Sequence, residues 1–403
     1  MQRRNRLVLS VVVLGTIAFG LLACGDDNDS AADSSTAAES GSFDEATAKS
    51  VVEHYADGVY ATYQNSLEQA TTMKTAIDAF VAAPSQATLD AAKQAWIDAR
   101  DDYGISEAFR FYGGPIDDEN TGPEGQINAW PLDEAYIDYV EGKPDSGMIA
   151  DVAGTPEITA DVLAGRNEEG GETNIATGWH AVEFLLWGQD LSATGAGTRP
   201  FTDYTTAANA VRRATYLSTV TQLLIDDLTS MSDAWDPDGT DTYREQFLAE
   251  DPADALTKII TGIGELGRGE LAGERMNVAY EERDQENEHS CFSDNTTSDL
   301  VANEQGIINI WKGTYPGGVT GDGLEVLVTE ADSTLATDVD DSMTASLAEI
   351  EKIPAPFDQS LTQEAPDDGP GRTAIKTSID ELGTQTDNLV AAAKAMGLTI
   401  EVT

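Results

Sequence analysis

Basic side chains are scarce in this chain, with 23 Lys and Arg against 72 Asp and Glu over 403 residues, a formal charge of −49. Nucleic-acid binding depends on basic residues that neutralise phosphates, so that class of partner is excluded. Cysteine is scarcer, at two residues, Cys24 and Cys291. With Cys24 occupied as argued below, no intramolecular disulfide remains and stability must come from a packed core. Histidine occurs three times, as His54, His180 and His289. No His-Glu-x-x-His stretch is present, which removes the usual zinc-protease helix, and no Gly-x-Ser-x-Gly elbow offers a serine nucleophile. Period-two alternation of apolar and polar residues is also scarce, so strands are not expected to build the fold.

The N-terminus carries an export signal. Arg3, Arg4 and Arg6 precede an apolar run from Leu7 to Ala23, the pattern of a secretory leader and slightly short for a membrane span. The run ends in Leu21-Leu22-Ala23-Cys24, which resembles the bacterial lipobox, where a lipid is attached to the Cys and cleavage occurs just before it. An ordinary signal peptide with an incidental Cys, or an uncleaved anchor, are the alternatives. Residues 24–42 are rich in Asp, Ser and Ala without apolar period, and read as a flexible tether. Removing residues 1–23 takes away three Arg and no acid, leaving 20 basic and 72 acidic side chains, a charge of −52. Such a field either solvates the surface or concentrates cations near it. The expectation is an envelope protein, lipid-anchored to a bacterial membrane and facing the periplasm or the cell exterior.

Beyond the tether, helical spacing dominates. Val51, Val52, Tyr55, Val59, Tyr63, Leu67, Ile77 and Phe80 recur at three and four residue intervals. Ser85 is placed to cap a second helix through Leu89, Trp96 and Tyr103. Thr155-Pro156-Glu157 and Asp251-Pro252 read as capped starts with Pro in the first turn. Further helices are predicted over about 175–187, 203–233, 251–280, 297–312, 331–352 and 371–396, separated by Gly/Pro loops. Long helices joined in this way make bundles. Two short matches, Glu107-Ala-Phe-Arg-Phe-Tyr-Gly-Gly and Glu183-Phe-Leu-Leu-Trp-Gly, hint at two related halves, 43–228 and 229–403.

Three clusters carry chemistry. In Gly178-Trp-His180-Ala-Val-Glu183-Phe-Leu-Leu-Trp187-Gly188, His180 and Glu183 stand three apart and share a helix face. An imidazole and a carboxylate on one face can supply two metal ligands, or a buried hydrogen bond that only holds the helix in place. Asp284-Gln-Glu286-Asn-Glu288-His289-Ser-Cys291-Phe-Ser-Asp294-Asn295 gathers oxygen ligands and one imidazole in a loop that either completes a metal site or caps helices in water. Arg100, Asp101, Tyr103, Glu107, Arg110 and Asp117 read more readily as an interior ion-pair network.

The Gly178-x-His180-x-x-Glu183 motif with its Phe-Leu-Leu-Trp-Gly tail resembles the imelysin family, also called the insulin-cleaving membrane protease family. Glu107 to Asp117, Asn128-Ala-Trp-Pro-Leu-Asp133, Gly269-Glu-Leu-Ala-Gly-Glu-Arg275 and Glu288-His-Ser-Cys-Phe-Ser-Asp-Asn295 are similar to its iron-regulated protein A branch. The resemblance runs from about Phe43 to Met396. It implies an all-α fold of two related four-helix-bundle-like domains, with the motif in a cleft at their junction, and an outer-facing, iron-linked lipoprotein. On the family motif, His180 and Glu183 are the expected metal ligands. Glu107, Asp117, His289 and Asp294 are candidates to complete the shell. Oxygen-rich shells with one or two imidazoles suit iron or manganese better than a soft thiolate metal, so iron is expected ahead of zinc. The leading expectation is therefore a non-enzymatic lipoprotein that binds iron, another metal or an iron complex for uptake or sensing, with a membrane transporter of the envelope as partner. A metallopeptidase using metal-activated water and Glu183, or a peptide-binding scaffold with a purely structural His180, are the alternatives.

Overall fold

The computed structural model describes residues 43–402; the expected leader, the lipid site Cys24 and the tether lie outside the described residues. Helix α1 (Glu45–Ala82) starts at Asp44, whose carboxylate accepts from the Thr47 N–H at 2.9 Å. That bond satisfies one of the donors a helix start leaves open. The apolar stripe read from the sequence is the face α1 buries. Ser85 caps α2 (Gln86–Gly104) in a reciprocal box with Thr88, and α2 folds back along α1. Helices α3 (Gly178–Trp187), α4 (Ala210–Ala234), α5 (Pro252–Glu265) and α6 (Thr296–Lys312) follow. After them come α7 (Leu324–Ala331), α8 (Ser333–Ile350) and α9 (Pro370–Ala395). α4 and α5 pack on α1, α6 on α2, and α9 on α8.

The architecture is all-α. Among the described residues the only paired strands are Thr314–Tyr315 and Val319–Thr320, which form a small hairpin. The apolar interior has a main cluster, fed by α1 to α5 and reaching α9, and a second of Leu271, Met276, Leu300, Phe357, Ile375 and Leu382. No helix among the described residues is long and apolar enough to cross a membrane.

Three predicted helices are realised differently, each for a local reason. Over 251–280 the coil is continuous, but Leu266–Val278 takes the wide π form. Glycines at 262, 264, 267, 269 and 273 weaken the α form there. The 203–233 stretch begins as a 3-10 turn, and α4 starts only after Asn209, whose left-handed φ of 60° interrupts the coil. The helix predicted over 331–352 is present as α8, started by Asp332, which accepts from the Thr334 and Leu335 N–H groups, and α7 is an additional helix just before it. The start expected at Thr155 moves to Thr159, because the Arg212 guanidinium takes the Thr155 carbonyl at 2.6 Å together with those of Met148 and Ile149, in the short helix Gly147–Ala150, at 2.8 Å each, and so ties Thr155 back to that helix.

α3 is the element that carries the motif. All ten of its residues are buried, which its composition requires, since it is apolar on every side apart from His180 and Glu183. Its first residue, Gly178, has φ +82°, and a Cβ there would stand 2.3 Å from the Ile127 carbonyl oxygen. Only glycine fits that approach. Beyond α3, Arg199 and Arg213 both grip the buried Asp138, at 2.7 and 2.6 Å, and tie the following loop to α4.

Replacing Gly178 with Ala is therefore expected to destabilise the protein by roughly 1–3 kcal/mol. A fall in the urea midpoint, with far-UV dichroism preserved, is the measurement that checks it.

Candidate functional site

Two groups of charged side chains meet around α3. The first surrounds Glu107, in the 3-10 turn that follows α2. Its carboxylate accepts from Arg110 and Asn128, each at 3.2 Å, and from Arg275 of the π segment. Arg100 stands 3.7 Å away and bonds Asp299 of α6 at 3.2 Å. Burial alone would raise the Glu107 pKa, but Arg275, Arg110 and Arg100 together hold it well below the usual carboxylate range.

The imidazoles sit on the edge of this network, with ring centroids 4.9 Å apart. His289 places Nδ1 2.8 Å from Asp299, and Arg100 approaches its Nε2 at 3.3 Å. Burial, reinforced by Arg275 and Arg100, pushes its pKa well down, so the ring is neutral. The hydrogen bonds assign the proton to Nδ1 and leave the Nε2 lone pair to the guanidinium. His180 is likewise held neutral, pushed down to about 3 by burial and Arg100. Its Nδ1 lies 2.9 Å from Glu183, and its buried Nε2 meets no protein partner. Glu183 is occupied on both oxygens: Oε2 by His180, and Oε1 by the N–H and hydroxyl of Ser293 at 2.9 and 2.7 Å. Burial pushes it up to about 8, against the lowering effect of the Ser293 bonds.

The second group lies beyond Ser293. One carboxylate oxygen each from Asp190, Asp294 and Asp358 falls within 4.8 Å of the others, and among the described residues no other three His, Cys, Asp or Glu converge so closely. Asp190 comes from the loop after α3, Asp294 from the loop before α6, and Asp358 from the 3-10 turn Phe357–Ser360. Asp358 is 1 % exposed, yet neither of its oxygens has a donor in bonding geometry; the nearby Gln359 N–H falls short of one. Glu288, fully buried, also has two oxygens without a donor in bonding geometry; the nearby Thr296 hydroxyl accepts instead from Ser290 N. Burial raises all four pKa values, Asp294 to about 7 and Asp358 to about 6. The charges acting on Asp294, Asp358 and Glu288 are those of other carboxylates. Unpartnered buried carboxylates are costly, and a cation among them would relieve both the desolvation and the repulsion. An all-oxygen set fits a hard cation.

Of the residues singled out by sequence, Glu107, His180, Glu183 and His289 are thus brought together in one buried network. Asp294 stands on the other side of Ser293, in the acidic group. Asp117 joins neither, and accepts instead from the Phe111 N–H at a tight turn. Cys291 is a free thiol whose pKa burial and Glu183 push well up, so it is no thiolate nucleophile. Asp190 and Asp358 went unrecognised in the sequence. Asp190 lies only two residues past the Trp187-Gly188 end of the motif, a position that invites inspection, whereas Asp358 is one acid in a long polar loop.

The imelysin family model matches residues 59–389. Iron-regulated protein A of Synechococcus elongatus is 25% identical over 339 residues, 82% of this chain and 81% of that protein. The crystal structure of a Parabacteroides distasonis protein described as an iron-regulated protein A precursor superposes with a TM-score of 0.70 at 20% identity, over 89% of this chain and 97% of that one. An imelysin-like protein from Psychrobacter arcticum gives a TM-score of 0.62 at 14% identity, over 89% and 98% of the two chains. With the motif, the fold and the matched length in agreement, this chain belongs to the imelysin family, in its iron-regulated protein A-like branch.

Proposed function

We propose that this protein captures a hard metal cation, iron foremost, at the cell envelope, where a lipid on Cys24 tethers it near a membrane transporter. The observation that carries the reading is the convergence of Asp190, Asp294 and Asp358, with Asp358 buried and unpartnered. The three carboxylates would hold the ion and offset its charge without any imidazole or thiolate. The name of the Synechococcus relative, an iron-regulated protein, favours iron among the hard cations. We further propose that the halves 43–228 and 229–403 are two related bundle-like domains with this site at their junction. Asp190 belongs to the first half, and Asp294 and Asp358 to the second. A peptidase zinc shell built on imidazoles finds less support, because Arg100 faces the His289 Nε2 that such a shell would use.

Calorimetric titration of iron(II), manganese(II) and zinc(II) into the mature chain tests the reading. Wild type is expected to bind iron or manganese at one site per chain, and Asp358→Asn to weaken that binding at least roughly tenfold. Equal affinity in the variant, or no binding by wild type, would overturn it.

A pH dependence follows for the metal-free protein. Glu183 and Glu304 are pushed up to about 8 and Asp294 to about 7, all chiefly by burial. Unfolded carboxylates titrate near pH 4, so between pH 7 and 8.5 the folded chain binds more protons than the unfolded one. Stability therefore falls as pH rises through this window. The buried neutral histidines oppose this only nearer their unfolded pKa of about 6.5. Scanning calorimetry is expected to show a lower Tm at pH 8.5 than at pH 7, with added manganese reversing part of the loss.

A further inference from the structure

The carboxylate of the family motif reaches the acidic group only through an intermediary. Glu183 Oε1 holds Ser293 twice, by its N–H at 2.9 Å and its hydroxyl at 2.7 Å, and Oε2 is engaged by His180 at 2.9 Å. The next residue, Asp294, has φ +60°, a left-handed conformation that a residue with a side chain keeps only when its neighbours enforce it. Those neighbours are tied on both sides. Gly197 N–H donates to the Phe292 carbonyl at 2.9 Å, and Asn295 N–H to the Ser290 carbonyl at 3.3 Å. Between these two ties, the double bond from Ser293 to Glu183 fixes the residue that immediately precedes the turn.

We infer that Glu183 is a positioning residue for the cation site, holding Asp294 between Asp190 and Asp358 through Ser293, and that it supplies no oxygen to the ion itself. The inference rests on reading the three aspartates as the cation ligands. It accounts for the spacing of the motif. Three residues apart on α3, His180 can reach Glu183 and orient it, while Glu183 faces out of the helix toward the 290–295 loop. His180 orients Glu183, Glu183 holds Ser293, and Ser293 sets the turn that presents Asp294. For Glu183 to ligate the ion directly it would have to release Ser293, leaving a buried N–H and hydroxyl without an acceptor.

Substitutions at Glu183 separate the two roles. Glu183→Gln keeps a carbonyl oxygen to accept both Ser293 donors and offers an N–H to His180 Nδ1, but cannot ionise. Glu183→Ala removes the acceptor as well. With manganese(II) as calorimetric probe on the mature chain, Glu183→Ala is expected to lose roughly 10–100-fold in affinity. Glu183→Gln is expected to restore binding close to wild type, and Ser293→Ala to fall between them. If Glu183→Gln binds as weakly as Glu183→Ala, an ionised Glu183 itself serves the ion and the inference is overturned. Should Glu183→Ala not fold, Glu183→Gln and Ser293→Ala decide: retention in the first with loss in the second supports positioning, and the reverse pattern refutes it. Wild type that binds no manganese or iron would remove the metal-capture reading and this inference together. Wild type that binds, with Asp294→Asn weakened and Glu183→Gln equally weakened, would remove this inference alone.

Discussion

The buried carboxylate of Glu107 is the contact on which the centre of the molecule depends. Three guanidinium groups converge on it from separate segments: Arg100 on α2, Arg110 just after the 3-10 turn, and Arg275 on the π segment. Removing one partner of such a group strands the others as uncompensated buried charges, a loss of about 3–5 kcal/mol. The consequence is geometric as much as energetic. Arg100 also bonds Asp299 and Asn128, and Arg275 bonds Asn303 and Glu270, so α2, α6, the π segment and the Asn128 loop are held to one point. His289 is set by Asp299 and Arg100, both members of the same network.

Around that point the charges are divided in kind. On the Glu107 side, acids and guanidinium groups balance, and the imidazoles stay neutral because positive charge and burial both oppose their protonation. On the far side of Ser293 the acids face one another without a basic partner within the group. A chain with so large an excess of acid could scatter carboxylates anywhere on its surface. It buries Asp190, Asp358 and Glu288 instead and half-buries Asp294, where a carboxylate is costly to leave charged. This contrast separates the group from the solvated acids of the exterior.

Helical periodicity made the helices legible in the sequence because it depends on neighbours three and four residues apart, and Ser85 and Asp251 marked starts for the same local reason. Where tertiary contacts overrode propensity, the sequence was silent. Arg212 capturing the Met148, Ile149 and Thr155 carbonyls leaves no trace in those residues' own sequence. The motif exposed His180 and Glu183, since their spacing shows on one helix. The acidic group was legible only in part. Asp294 stood out within a dense polar run, whereas Asp190 and Asp358 acquire meaning only when three loops far apart in the chain are folded onto one another.

That dispersal has a kinetic side. Each aspartate of the group rides on a different loop, and the described residues hold no disulfide to clamp those loops together. An ion held by all three would act as a reversible cross-link between distant parts of the chain. Its departure would not require the helices to unfold. Local opening of the short 3-10 turn that carries Asp358 would reduce the shell to two ligands while α3 and the Glu107 network stayed intact. The residence time of the cation would then be set by the fluctuation of one loop and could be short even where stability is high, which suits a carrier that must hand its cargo on.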